Sequence, residues 1–110
     1  MPIISDDALY QLLRESLIEE FNEQRTQEKY DLSGFDFRSV DLRGIVADGL
    51  NFQDCYFRHA DLRGVDLRKS HLKGASLASA MISGAYFPKE ILAEEITLSV
   101  VYGTRLRYST

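Results

Sequence analysis

Residues 30–87 read, in groups of five, YDLSG, FDFRS, VDLRG, IVADG, LNFQD, CYFRH, ADLRG, VDLRK, SHLKG, ASLAS, AMISG and AYF. The third residue of each group, called here the central position, is apolar in all twelve groups: Leu32, Phe37, Leu42, Ala47, Phe52, Phe57, Leu62, Leu67, Leu72, Leu77, Ile82 and Phe87. The first residue of each group is apolar in eleven of twelve cases, and the last residue is never apolar. Two residues of every five are therefore predicted to face inward.

A strict period of five fits neither an α-helix, with 3.6 residues per turn, nor a β-strand, whose side chains alternate with a period of two. Six of the seven glycines occupy the last position of a group, at 34, 44, 49, 64, 74 and 84. A position that repeatedly requires glycine predicts a corner where the backbone is costly for residues with a Cβ atom. The pattern thus indicates a chain that turns after every fifth residue.

This pattern resembles the pentapeptide-repeat family, whose consensus A-(D/N)-L-X-X is matched well by ADLRG at 60–64. The resemblance covers 58 of the 110 residues. It implies a mainly β fold, a short right-handed quadrilateral β-solenoid in which each group forms one side and four groups complete a coil. Twelve groups then make about three coils, and residues twenty apart in the sequence stack on one another.

The flanking segments are predicted to cap this solenoid, because a short solenoid otherwise exposes an unpaired rim and an open core at each end. We expect one compact domain with an N-terminal helical cap at 1–29, the solenoid at 30–87, and a C-terminal helix and tail at 88–110. In the first segment the spacing of apolar residues predicts a helix from about 6 to 27, with Ser5 as N-cap. In the last segment, Gly103 is placed to end a short helix. The tail at 104–108 is either docked and extended or flexible.

The net charge of −4 arises entirely from residues 1–29, which hold seven acids and three bases, whereas residues 30–87 hold seven of each. The solenoid is therefore predicted to be electrically neutral. The N-terminus lacks the pattern of a secretion signal and no segment approaches membrane-spanning length, so we expect a cytoplasmic protein without membrane contact. The single cysteine, Cys55, excludes an internal disulfide and is expected to be a small buried residue.

No catalytic, metal or cofactor motif stands out. His59 and His71 occupy outward positions on different groups, with no second ligand at the spacing of a metal site. The glycines are regular corners rather than parts of a phosphate-binding loop. A narrow solenoid filled by its own side chains also offers no pocket for a substrate. We therefore expect no enzymatic activity, no cofactor and no bound metal.

Two surfaces are candidates for a protein partner. Arg38 and Arg58 should stack on one side of the solenoid, and Arg43 and Arg63 on the next, interleaved with aspartates. The alternative is that these arginines form only a solvated set of weak ion pairs. On the N-terminal helix, Tyr10 and Ile18 would lie on a second, exposed apolar face suited to a partner or a homodimer. The alternative there is that the helix only caps the first coil.

The sequence thus favours a non-catalytic protein-interaction or scaffold module. The alternative comes from family members that imitate duplex DNA and modulate DNA gyrase or topoisomerase. A neutral repeat region of only three coils, with arginines on its outer positions, argues against DNA mimicry. Direct binding of nucleic acid is disfavoured because acids match those arginines and the pI is near 5.1.

Overall fold

The structure is a computed structural model that describes residues 6–109. It contains three helices and two short strands: α1 (Ala8–Arg14), α2 (Ile18–Gln24), β1 (Tyr30–Asp31), β2 (Leu50–Asn51) and α3 (Ala93–Tyr102). Between α2 and α3 the chain winds in a regular coil with a period of twenty residues. Ser5, the expected N-cap of the first helix, lies outside the described residues.

Parallel backbone pairing joins residues exactly one coil apart. β1 pairs with β2, with Tyr30 opposite Leu50. Further parallel bridges, all between residues twenty apart, join Asp36 to Tyr56, Asp41 to Asp61, Asn51 to His71, Tyr56 to Ser76, Asp61 to Met81, and Asp66 to Tyr86. The groups of five therefore stack in four columns. The first column holds 30–34, 50–54 and 70–74; the second holds 35–39, 55–59 and 75–79; the third holds 40–44, 60–64 and 80–84; and the fourth holds 45–49, 65–69 and 85–87.

Each group ends in a tight turn. The carbonyl of a central residue accepts a hydrogen bond from the N–H three residues later, as between Phe37 and Val40 at 3.2 Å. The last residue has a positive φ, as in a type II turn, in ten of the eleven complete groups, and Lys69 is the exception. This explains the glycines at that position. Four corners are instead formed by residues with a Cβ atom, all near φ 60°: Ser39, Asp54, His59 and Ser79.

The core runs up the middle of the coil. The first ten central residues, from Leu32 to Leu77, are at most 2% exposed, while Ile82 and Phe87 are partly buried. Phe37 and Phe57, one coil apart, stack with ring centroids 5.5 Å apart, and Phe52 packs edge-on against both. The predicted inward position and the twenty-residue stacking are thus confirmed for these residues.

The predicted continuous helix from 6 to 27 is wrong, because the chain forms two helices with a sharp turn between them. The N–H of Ser16 bonds the Leu13 carbonyl, and the N–H of Leu17 bonds the Leu12 carbonyl. Ser16 has φ 57°, so this is a Schellman ending with serine in the place usually taken by glycine. The N-cap of α1 is Asp7, whose side chain accepts from the N–H of Tyr10.

The N-terminal segment closes the first coil with side-chain hydrogen bonds to its exposed backbone. Five side chains take part: Tyr10, Arg14, Ser16, Asn22 and Arg25. Their partners are backbone groups of Asp36, Arg38, Asp41, Gly44, Val46 and Asp48. A buried backbone group without a partner is costly, so these contacts stabilise the rim as well as covering the core.

The C-terminal segment closes only part of the last coil. α3 ends at Gly103, which has φ 73°, as predicted. The Ser99 hydroxyl accepts from the N–H of Leu77 at 2.8 Å. Beyond it, the backbone of Leu106 bonds Gly74 and Ala75, so the tail is docked and extended.

The rest of that rim carries open backbone groups. Within residues 6–109, no acceptor binds the N–H of Ile82, Gly84 or Phe87. These three groups lie on the third and fourth columns, which α3 and the tail leave unpaired.

Candidate interaction surface

In six of the twelve groups the second residue is an aspartate or asparagine that organises the turn following it. Its side-chain oxygen accepts the N–H of the residue two positions later, as between Asp36 and Arg38 at 2.9 Å. The same bond forms at Asp31, Asp41, Asn51, Asp61 and Asp66. Such side-chain bonds to the backbone favour turns. Sequence reasoning missed this role, although the recurring D-x-R pattern was its signal.

Where arginine occupies the fourth position of a group, its guanidinium forms an ion pair with the aspartate at the second position of that group. On the third column, Arg43 bonds Asp41 at 2.8 Å and also reaches Asp61 at 3.2 Å, while Arg63 bonds Asp61 at 2.7 Å. The side chain of Asp61 is only 8% exposed. Its hydrogen bond with Arg63 is the main cause that lowers the pKa of Asp61 to about 2. The charges of Arg43 and Arg63 are therefore locally matched.

The other columns follow the same rule with one exception. Arg38 pairs with Asp36 at 2.7 Å, and Arg68 pairs with Asp66 at 2.8 Å. Arg58 has no carboxylate partner within residues 6–109, because Tyr56 stands where the other groups carry aspartate. The structure thus separates the four candidate arginines into three with paired charges and one, Arg58, with an unpaired charge.

The expected second face on the N-terminal helix is absent from the described structure. Tyr10 is fully buried: its ring packs edge-on against Phe35 and Phe37, and its hydroxyl donates to the Asp36 carbonyl at 2.6 Å. Ile18 is 8% exposed and belongs to the core. The prediction that these two side chains are exposed is wrong: α1 packs Tyr10 directly against the first coil, and the turn at Ser16 directs α2 so that Ile18 also joins the core. Both residues cap the first coil.

A groove of about 540 Å³ lies between the second column and the carboxyl end of α3. Its lining includes Arg38, Tyr56, Arg58, Ser79, Val101 and Tyr102. Among the nine residues that line it there are two arginines and no acid. This groove combines the unpaired arginine with exposed apolar side chains.

The described residues show no arrangement typical of a metal centre or a reactive thiol. Within 6–109, no cluster of three or more His, Cys, Asp or Glu side chains could hold a metal ion. His59 and His71 are exposed. Cys55 is buried, its thiol donates to the Leu32 carbonyl, and burial raises its pKa to about 12. A thiol that stays protonated is a poor nucleophile. None of the described helices has the length and apolarity needed to span a lipid bilayer.

The comparison with family models agrees with the periodic backbone. The model for pentapeptide repeats matches eight copies at residues 51–87. This segment consists of pentapeptide repeats. Such repeats imply a β-solenoid, and in the structure the twenty-residue pairing of the pentapeptide repeats extends back to Tyr30, beyond the matched residues. No curated protein and no solved structure matches the chain significantly.

Two residues outside the pentapeptide repeats were missed by sequence reasoning. Arg25 donates to the carbonyls of Val46 and Asp48, at 2.9 and 2.5 Å, and to that of Glu28. Asn22 exchanges a pair of hydrogen bonds with Gly44 and Val46. Their partners in the coil lie more than twenty residues away in the sequence, so no local pattern could reveal them. They hold the cap in place on the third and fourth columns.

Proposed function

We propose that the chain is a non-catalytic protein-interaction module that docks onto a partner through the outer face of its repeat columns. This proposal rests on one observation: arginine side chains on the outer face are exposed and are held in place by neighbouring aspartates. The paired arginines Arg38, Arg43, Arg63 and Arg68 keep between 46 and 61% of their side chains exposed, although each is held by a carboxylate. A side chain that is already ordered loses less conformational entropy on binding.

The proposal also concerns the shape of the module. We infer that the four columns are the four faces of a right-handed quadrilateral solenoid of about three coils. Parallel bridges at a spacing of twenty residues, found on all four columns, support this shape. Each column would then present a flat face of stacked, outward side chains in fixed register. Such repeated faces are common binding surfaces in solenoid proteins.

Modulation of DNA gyrase through DNA mimicry is the weaker alternative. A DNA mimic needs a continuous surface of negative potential. Here the outward aspartates at 36, 41, 61 and 66 are all neutralised by arginines within hydrogen-bond distance. We therefore expect no inhibition of gyrase supercoiling at about ten micromolar protein, a concentration at which many specific protein contacts are saturated.

Affinity capture with column-specific variants tests the proposed function. The purified chain is immobilised, incubated with lysate of the source cells, and its enriched proteins are quantified by mass spectrometry. Three variants neutralise one column each: Arg38→Gln with Arg58→Gln, Arg43→Gln with Arg63→Gln, and Arg68→Gln. We expect one partner whose capture falls at least tenfold in one variant and stays constant in the other two.

Thermal melting of each variant provides the control for folding. Arg68→Gln breaks an exposed ion pair and should melt close to the wild type. The other two variants leave Asp36 or Asp61, whose side chains are 1% and 8% exposed, without an arginine partner and should melt at a lower temperature, so capture is measured well below their melting transitions. Equal capture by all three variants, or no protein enriched over an unrelated bait, would contradict docking through the columns. Inhibition of gyrase would support the alternative instead.

A further inference from the structure

The second column differs from the other columns in its charge. Four arginines lie on it or contact it from the two caps, namely Arg14, Arg38, Arg58 and Arg105. Arg14 donates to the carbonyls of Asp36 and Arg38, and Arg105 donates to the hydroxyl of Tyr56. Within residues 6–109, two acids pair with these arginines: Asp36 with Arg38, and Asp54 with Arg105 at 3.7 Å. Four arginines against two aspartates leave an excess of two positive charges in a chain whose net charge is −4.

The groove beside this column adds apolar contacts to the charge. Val101 and Tyr102, at the carboxyl end of α3, are 61% and 75% exposed and form one wall. Tyr56 and Ser79 lie on the opposite side, and Ser79 makes no side-chain hydrogen bond within residues 6–109. An exposed tyrosine beside an unpaired arginine is a combination enriched at the energetic centres of protein interfaces.

We propose that this groove binds an extended acidic segment of a partner protein. A carboxylate of that segment pairs with Arg58, and a neighbouring apolar side chain packs against Val101 and Tyr102. The inference rests on the proposed function as an interaction module and specifies both its site and the chemistry of its partner. Arg58 is the residue that decides it, since a guanidinium without a carboxylate partner can take up a bidentate one without breaking an existing pair.

The size of the charged surface favours a peptide over a nucleic acid. From Arg38 to the third coil the column spans two coil spacings, about 10 Å, which is the length of about three extended residues. A nucleic-acid backbone carries charge over a much greater length, and beyond this groove it would meet an acidic chain. The N-terminal segment alone holds seven acids against three bases. A short acidic peptide meets only the positive region.

A titration followed by NMR tests the groove directly. The probe is the hexapeptide EELFEE, acetylated and amidated, added to the ¹⁵N-labelled full chain at low salt. We expect saturable shifts of the Arg58 Nε–H signal and of the Ser79 and Tyr102 amides. The control peptides are QQLFQQ, which lacks the charge, and EESSEE, which lacks the apolar pair. Each should bind at least fivefold more weakly than EELFEE.

Matched variants separate the groove from general electrostatics. Arg58→Gln should weaken binding of EELFEE at least fivefold, and Tyr102→Ala at least threefold. Arg68→Gln removes another exposed arginine, one that is paired with Asp66, and should change the affinity less than twofold. Because Arg58 has no carboxylate partner among the described residues, Arg58→Gln should keep the wild-type melting temperature. Equal weakening by Arg58→Gln and Arg68→Gln, or shifts that do not saturate, would overturn the proposal.

Two further outcomes distinguish this inference from the proposed function. If the Arg58→Gln chain captures the same partner from lysate as the wild type and EELFEE does not bind, the groove is refuted while the interaction module stands. If EELFEE saturates the groove but no column variant alters capture of any protein, the proposed function is refuted while the groove stands. Tighter binding of the single strand dT12 than of EELFEE to the same residues would overturn the peptide assignment in favour of nucleic acid.

Discussion

Replacing Gly49 with alanine should destabilise the fold far more than the same change at Gly44. Both glycines occupy the corner position and have nearly the same positive φ, 80° and 85°. A Cβ atom on Gly49 would lie 2.0 Å from the backbone oxygen of Glu28 and 3.1 Å from the Arg25 guanidinium. A Cβ atom on Gly44 would have no heavy atom within 4 Å. The pair therefore shares the backbone strain and differs only in the collision with the cap.

The expected magnitudes follow from these two contributions. The backbone strain of an L-residue at positive φ costs about 1 kcal/mol at either site. At Gly49 the Glu28 carbonyl must also move, which breaks its bond to Arg25 and displaces the Arg25 bonds to Val46 and Asp48. At about 1 kcal/mol for each net hydrogen bond, the total loss reaches about 3–4 kcal/mol. For a chain of this length, 1 kcal/mol corresponds to about 4 °C in melting temperature.

Thermal and urea denaturation, followed by circular dichroism, measure the difference. Gly44→Ala should lower the melting temperature by about 4 °C and Gly49→Ala by about 12 °C or more. Equal losses of unfolding free energy in the two variants would refute the contact between the Gly49 corner and the linker at Glu28. A larger loss for Gly44→Ala would refute the placement of the cap on the fourth column.

Three further predictions concern the core, the cap and acid stability. Leu62→Asp should abolish cooperative unfolding, because Leu62 is 1% exposed in the middle coil and a buried unpaired charge is strongly destabilising; a sharp transition near the wild-type temperature would contradict the register. Deletion of 1–27 should cause aggregation in light scattering, since it exposes the first coil and its backbone rim; a monodisperse, equally stable product would show that the segment is not a cap. Asp61→Asn keeps an oxygen for the Arg63 N–H but loses the ion pairs. The folded pKa of Asp61, about 2, lies below its unfolded value near 3.9, so its charge stabilises the fold above about pH 4 and ceases to do so as the pH falls through 2. The urea midpoint of Asp61→Asn should thus be lower than wild type at pH 7 and approach it as the pH falls to about 1, below both pKa values, and an undiminished difference there would refute this role.

The repeat and its stacking could be predicted from the sequence because a period of five repeats the same physical constraint in every group. Each central residue meets the same inward environment, and each glycine meets the same positive φ. The docked tail was left open because its bonds, such as those of Leu106 to Gly74 and Ala75, join segments about thirty residues apart. The local sequence pattern cannot predict a contact between segments so far apart.

The N-terminal cap shows where pattern reasoning fails. Helical spacing of apolar residues continues through Ser16, so one long helix was expected. The structure breaks there because a serine adopts the left-handed conformation that usually marks a glycine. Its hydroxyl accepts from the N–H of Asp41, a long-range bond that fixes this conformation. Both helices pack on the first coil and bury Tyr10 and Ile18, which removes both from the candidate surface.

Only part of the arginine surface could be predicted from the sequence. Stacking of Arg43 and Arg63 with their aspartates follows from the period. The special position of Arg58 was also present in the sequence, since CYFRH has tyrosine where ADLRG has aspartate. The structure shows that each aspartate accepts hydrogen bonds from the arginine two residues later. Without that observation, the tyrosine at position 56 did not indicate that Arg58 lacks a carboxylate partner in its group.

Hydrogen-bond scalar couplings measured by NMR test the twenty-residue coil most directly, because they report which N–H is bonded to which carbonyl. The account predicts couplings from the N–H of Leu42 to the carbonyl of Asp61, from Phe57 to Ser76, and from Leu62 to Met81, where the bonds are 3.0, 2.9 and 2.8 Å long. Couplings at these three positions would establish the columns on which the proposed surface depends. Couplings from these three N–H groups to any other carbonyls would contradict the coil and the grouping of Arg38 with Arg58.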